Sequence, residues 1–351
     1  MRALILVLLA ACTRPPAAPD PAVAAAPGAA PGVAPAVPTT QPVLLVANKA
    51  EATVSVLELP GGRVLATLPT AVGPHEIAVS PDGRRAVVTG YGIKGEPGRS
   101  LTVIDLPSLS VARTIDLGEY RRPHGVAFLP DGRRVVVTAE ANAAVVIVDV
   151  EAGTVERGIP TAQQGTHLVA VAPGGTRAYT ANMGSGTVTA IDLVAMTASE
   201  PRPAIEACEA IAVTPDGGQV WTASLERDRI VVLDGRTLAV IGDLAAAGRP
   251  IRITPTPDGR SMLVSNVDGS AVQLVDVATR AATRISLPPR AGPSAVPIGT
   301  VISPDSKTAY VALGAEDRVA VVDLASGTIT GHLGTGRGPD GLGYSTAFVR
   351  K

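Results

Sequence analysis

Three of the four histidines stand at one repeated place. His75, His124 and His167 each lie six residues before a proline that opens a short turn: Pro81, Pro130 and Pro173. The matching position holds Glu209 before Pro215, Ile251 before Pro257 and Ile298 before Pro304, with Asp340 aligned near the C-terminus. Three imidazoles on consecutive repeats, His75, His124 and His167, could bind a metal or a haem iron, for which neutral imidazole is a common ligand. The same side chains could equally cap strand ends through hydrogen bonds, and duplication alone would align them. His332 falls outside this column and is read as an ordinary surface residue.

Other chemistry is thinly supplied. Cys208 occupies the proline place of its repeat, next to Glu209, and is expected to be a small buried hydrophobe rather than a reactive thiol. The stretch Gly336-Arg337-Gly338-Pro339-Asp340-Gly341 matches Gly-x-Gly-x-x-Gly. It opens a strand, however, so no helix N-terminus awaits a phosphate. Gly-x-Ser-x-Gly, His-Glu-x-x-His and Cys-x-x-Cys-His are all missing from the chain. With Phe 2, Trp 1 and Tyr 5, aromatic platforms for sugars or single strands are scarce, and a net charge of −1 steers nothing toward nucleic acid.

Repetition is the strongest signal. Pro81-Asp82-Gly83 returns as Pro130-Asp131-Gly132, Pro173-Gly174-Gly175, Pro215-Asp216-Gly217, Pro257-Asp258-Gly259 and Pro304-Asp305-Ser306. Proline presets φ, aspartate ties the turn through its side chain, and glycine accepts positive φ. A β-branched run follows each turn, such as Val135-Val136-Val137-Thr138 or Met262-Leu263-Val264-Ser265. A third strand then ends in an acid: Asp105, Asp149, Asp192, Asp234, Asp276 or Asp323. An acid recurring at a turn is expected to be a hydrogen-bond anchor, not a catalyst. A fourth, outer strand leads to the next repeat.

The seventh repeat is split. Gly341 to Ser345 matches the strand before a turn, and its continuation sits at the other end, in Leu44 to Asn48 and Val54 to Leu59. The expectation is an all-β fold: a seven-bladed β-propeller of four-stranded blades over residues 43–351, about 44 residues per blade. One C-terminal and three N-terminal strands close the ring. The repeats resemble the YVTN family of bacterial propellers. Its signature appears as Ala-Val-Val-Thr at 86–89, Tyr-Thr-Ala-Asn at 179–182 and Leu-Val-Ala-Asn at 45–48. The resemblance implies the fold and leaves function open, since the family mixes scaffolds, ligand binders and relatives of haem d1-binding and lactonase propellers.

Strand direction places the loops after second and fourth strands at one end of the ring, the top, opposite the Pro-Asp-Gly turns. The length variation falls there: Tyr91 to Arg99, Glu119 to Arg122, and Pro288 to Pro293. Long loops on one face of a rigid scaffold mark a binding site. The candidate site is therefore His75, His124, His167, Glu209 and Asp340, rimmed by Tyr91, Lys94, Arg99, Tyr120, Arg121, Arg122 and Arg290. A basic rim around imidazole and carboxylate suits an anionic or metal-containing ligand.

The N-terminus reads as an address. Met1-Arg2, then an apolar run from Ala3, end in Leu9-Ala10-Ala11-Cys12, which resembles a bacterial lipobox whose Cys12 is lipidated. Residues 1–12 are the expected lipoprotein signal, and 13–42, rich in Ala and Pro, a tether. The expected protein is a monomer anchored by lipid to a membrane outside the cytoplasm. It would bind a protein partner or small ligand with no cofactor and no nucleic acid. A metal- or haem d1-handling propeller, or a lactonase-like hydrolase, is the alternative.

Overall fold

The computed structural model describes residues 42–346. The expected signal with Cys12 lies outside these residues, as do all of the tether but Pro42 and the last five residues. Among the described residues every regular element is a strand except the single 3-10 turn Glu140–Asn142.

The strands form seven sheets arranged as propeller blades. Blade one takes Pro339–Ser345 from the C-terminal end and pairs it with Val43–Asn48, followed by Thr53–Glu58 and Val64–Pro69. Val43 stands opposite Ser345 and Leu44 opposite Tyr344. The expected closure is therefore present, and no residue of Val43–Asn48 keeps appreciable contact with solvent. The innermost strands of blades two to seven are Pro74–Val79, Pro123–Phe128, Thr166–Val171, Cys208–Val213, Pro250–Pro255 and Pro297–Ile302. Each touches the next around the axis, and Pro297–Ile302 meets Pro339–Ser345 to complete the ring.

Alternation of side chains across each strand gives every blade two apolar faces, and these pack between neighbours. Val87, Leu101 and Val103 of blade two meet Val135, Val137 and Val146 of blade three in one such layer. The core is aliphatic, as the composition requires. Its one tryptophan, Trp221, is fully buried and donates Nε1–H to Gln219 Oε1 at 3.0 Å.

The repeated polar residues are anchors. Ser80, Thr214, Thr256 and Ser303 donate their hydroxyls to Asp82, Asp216, Asp258 and Asp305 two residues on, at 2.5–2.6 Å. The same aspartates accept backbone N–H groups further round the turn. The acids closing third strands act likewise: Asp149, Asp192, Asp234 and Asp276 each accept two backbone N–H bonds.

Two details differ from the sequence reading. The stretch from Tyr91 to Arg99 is not a loop. It prolongs strands Arg85–Ile93 and Glu96–Asp105 into a hairpin, with Ile93 opposite Glu96. Gly95 at φ +87 turns the chain, a conformation glycine reaches without steric cost. The outer edge of blade four is broken into Thr197–Ala198 and Arg202–Pro203, both on Thr187–Asp192. Pro201 and Pro203 have no N–H to give a continuous ladder.

Candidate functional site

Every innermost strand enters the ring by the same device. The residue just before it is left-handed in all seven blades: Gly73, Arg122, Gly165, Ala207, Arg249, Val296 and Gly338, with φ between +49 and +65. One or two residues later each innermost strand carries a bulge, seen as a register shift against its second strand. In blade four, Thr166 faces Asn182 and Leu168 faces Ala181, so His167 is the extra residue. In blade five the extra residue is Glu209. A bulge re-aims a side chain out of the alternating pattern. Repeated seven times, it sets one column of side chains around the top mouth of the channel.

The polar members of that column meet. His75 and His124 rings lie edge to face with centroids 4.2 Å apart, and His124 and His167 centroids are 3.8 Å apart. Asp340 Oδ2 lies 2.9 Å from His75 Nδ1 and accepts Lys49 Nζ at 3.0 Å. His167 is held at both nitrogens, by Glu209 Oε1 at 3.0 Å and Glu140 Oε2 at 3.4 Å. Tyr91 donates its hydroxyl to Glu140 at 2.9 Å, accepts Arg122 Nη1 at 2.8 Å, and stacks on His75 at 5.1 Å. One polar network thus runs from blade one to blade five, while blades six and seven place Ile251 and Ile298 in the same column.

The electrostatics of the three imidazoles diverge. Burial pushes the pKa of His167 down, but Glu140 and Glu209 overcome it and raise it to about 9. Burial also pushes His124 down, and the neighbouring His167 and His75 drive it further, well below the usual imidazole value. Asp340 would be raised by its burial, yet His75, Lys49 and Arg252 hold it well below the ordinary carboxylate range. Among the described residues His124 Nδ1 and Asp340 Oδ1 are buried with no hydrogen-bond partner.

Of the candidates named from sequence, His75, His124, His167, Glu209, Asp340, Tyr91 and Arg122 come together. The other five do not. Lys94 sits exposed at the hairpin tip. Arg99 pairs with Asp116 at 3.2 Å, both well exposed. Tyr120 turns inward and packs in the layer between blades two and three. Arg121 contributes its backbone N–H to Asn142 at 2.7 Å, and Arg290 is exposed, with its own N–H on Glu316. The basic rim therefore disperses.

Four residues went unnoticed: Lys49, Glu140, Glu76 and Arg252. Lys49, Tyr91 and Glu140 occupy one aligned column, one residue past the second-strand partner of each innermost strand's first proline: Asn48, Gly90 and Ala139. That column was legible in the repeats. Glu76 and Arg252 follow the bulge column by one residue and form an ion pair between blades two and six.

A metal or haem does not fit the imidazoles as they stand. The rings pack against one another, edge to face for His75 and His124 and tilted for His124 and His167, and both nitrogens of His167 are taken by carboxylates. Among the described residues no group of three His, Cys, Asp or Glu side chains is arranged to hold a metal ion. Cys208 is fully buried with Sγ 2.9 Å from Thr222 Oγ1, and burial raises its thiol pKa to about 11. His332 is exposed, as read from sequence.

The chain is similar to known propellers. A family model described as YNCE-like beta-propeller matches residues 27–134. Hydrazine synthase of Kuenenia stuttgartiensis superposes with a TM-score of 0.66 at 18% identity, covering 76% of this chain and 88% of that one. A functionally unknown protein from Desulfotomaculum acetoxidans gives a TM-score of 0.72 at 14% identity, covering 86% and 98%. At these identities the likeness shows the fold alone. No curated protein matches the chain.

Proposed function

We propose that this chain is an extracytoplasmic, lipid-anchored propeller that binds a protein partner or small ligand at its top mouth. The observation that carries the reading is the repeated bulge. It gathers five imidazole or carboxylate side chains at one end of the channel and leaves His124 Nδ1 and Asp340 Oδ1 unpaired there. Buried polar groups are nearly always paired, so these atoms mark where a bound group exchanges hydrogen bonds.

The charges favour binding over catalysis or metal handling. A cationic His167 clamped by two carboxylates neither accepts a proton nor ligates a metal at neutral pH. Lys49 answers Asp340, His167 answers Glu140 and Glu209, and Arg122 is engaged by Tyr91. So balanced a mouth suits a neutral or zwitterionic group, such as a peptide end or amide, better than the anion a basic rim would favour.

Thermal-shift screening with small zwitterions and short peptides tests this. A ligand at a hundredfold its Kd stabilises the fold by about 2.7 kcal/mol. His124→Ala should abolish that gain, and Asp258→Ala at the opposite end should leave it. Ligands that stabilise both variants equally would move the site elsewhere. The anchor rests on the lipobox-like Leu9-Ala10-Ala11-Cys12. Cys12→Ala should release the protein from the membrane fraction, and a wild-type protein without lipid would sink this part of the reading.

A further inference from the structure

Beneath the histidines the channel changes character. Glu76 from blade two and Arg252 from blade six form their ion pair within it, one residue below the bulge column. They line a cavity of about 160 Å3 together with Ile77, Leu168, Ile211 and Leu342. Thr254 and Thr300 supply its hydroxyls, 2.6 Å apart. Arg252 is only 8% exposed. One of its terminal nitrogens faces Glu76, another donates to the carbonyl of Ile251 at 3.1 Å, and Nε–H has no partner among the described residues. A guanidinium carries five donors, so this one retains capacity for an oxygen acceptor.

The cavity adjoins a second, wider one of about 400 Å3 at the bottom of the ring. The two share Ile77 and Leu342 as walls, and the lower one adds Val79, Val301, Ile302 and Tyr344. Pro257 and Pro304, from the bottom turns, stand at its edge. Its lining is mainly apolar. The upper cavity is lined chiefly by polar surface around the Glu76–Arg252 pair and the lower one by apolar side chains, so the channel combines a few buried polar groups that orient with hydrocarbon walls below them that desolvate.

We propose that the lower channel binds an aliphatic monocarboxylate, with its head on Arg252 and its chain directed past Ile77 and Leu342 toward the bottom mouth. Glu76 competes for the same guanidinium. It selects against small hydrophilic anions, which gain nothing from the apolar walls to offset displacing it. The cavity alone has room for about five waters, so a head group with a short hydrocarbon segment fills it and a longer chain reaches the vestibule. The proposal rests on the lower channel alone and does not depend on the reading of the top mouth.

Calorimetric titration of the whole chain with octanoate, and with 1-octanol as the headless control, decides the matter. Octanoate should bind at least tenfold more tightly than octanol, as a charge-assisted head contact requires. Glu76→Gln should bind octanoate as well as or better than wild type. Because Arg252→Met alone would strand a buried carboxylate and could fail to fold, the double variant Arg252→Met/Glu76→Gln is the informative one. It should lose at least tenfold in affinity. Methyl resonances of Ile77 and Leu342 should shift with octanoate in wild type. Octanoate and octanol binding equally, a double variant that binds like wild type, or no binding to wild type would each overturn the proposal.

Discussion

Two histidines that touch can carry opposite charge preferences, and the mouth contains such a pair. His167 is held charged by Glu140 and Glu209, and His124, its ring tilted against that of His167, is held neutral by burial and by that charge. The stabilising contribution of His167 has a definite direction in pH. Its folded pKa, about 9, lies above its ordinary 6.5. The contribution is therefore complete below pH 6.5 and is lost as pH rises through 9. Nitrogen-detected titration should give His167 a midpoint near 9, and Glu140→Gln/Glu209→Gln should bring it below 6.5, since only burial and like charge then remain. A wild-type midpoint near 6.5 would refute the two-carboxylate clamp. The alignment of the three histidines was readable in the sequence as a column six residues before each turn. Their unlike chemistry was not, because Glu209 approaches from 42 residues away and Glu140 from 27.

At the scale of the element, strands and turns follow from local rules, whereas the bulges do not. A bulge is a statement about pairing register, and no single strand contains it. Its geometry also constrains the residue beside it. A Cβ on Gly341 would come within 2.1 Å of the His75 carbonyl oxygen, so glycine there lets blade one's innermost strand lie against that of blade two. Gly341→Ala should cost about 1–3 kcal/mol in chemical denaturation, the usual penalty of overpacking. It should also disturb the His75–Asp340 contact beside it. Gly331→Ala, at an outer-strand position where a Cβ meets nothing within 4 Å, is the matched control and should leave stability within about 0.5 kcal/mol. Equal effects of the two changes would argue against close approach at the ring's inner wall. The extended hairpin at 91–99 was missed as an element for a related reason. Gly92, Gly95 and Gly98 mark a loop by composition, and only pairing of Gly92 with Pro97 and Ile93 with Glu96 makes it a ladder.

For the whole molecule, stability depends on joining the two ends of the described chain. Pro339–Ser345 is the innermost strand of blade one, whose other strands begin at Val43. Deleting residues 342–351 should expose Leu342's neighbours, including Leu44 and Val46, and orphan the ladder groups of Val43–Asn48. The expected loss is several kcal/mol. Unchanged melting of the truncated protein would contradict closure at this seam. What the sequence determined by itself was the architecture: seven repeats of four strands, the split blade, the turn chemistry and the column of histidines. Each of these depends on residues close together in the chain, or on their regular return. What only the tertiary structure decided was which side chains answer one another across the ring. Lys49 meets Asp340 over 291 residues, and Glu76 meets Arg252 over 176. Such pairs depend on the curvature of the closed ring, which brings the innermost strands of all seven blades around one narrow axis. No local pattern records that closeness, and so the charge balance of the mouth and the Arg252 cavity beneath it became visible only with the fold.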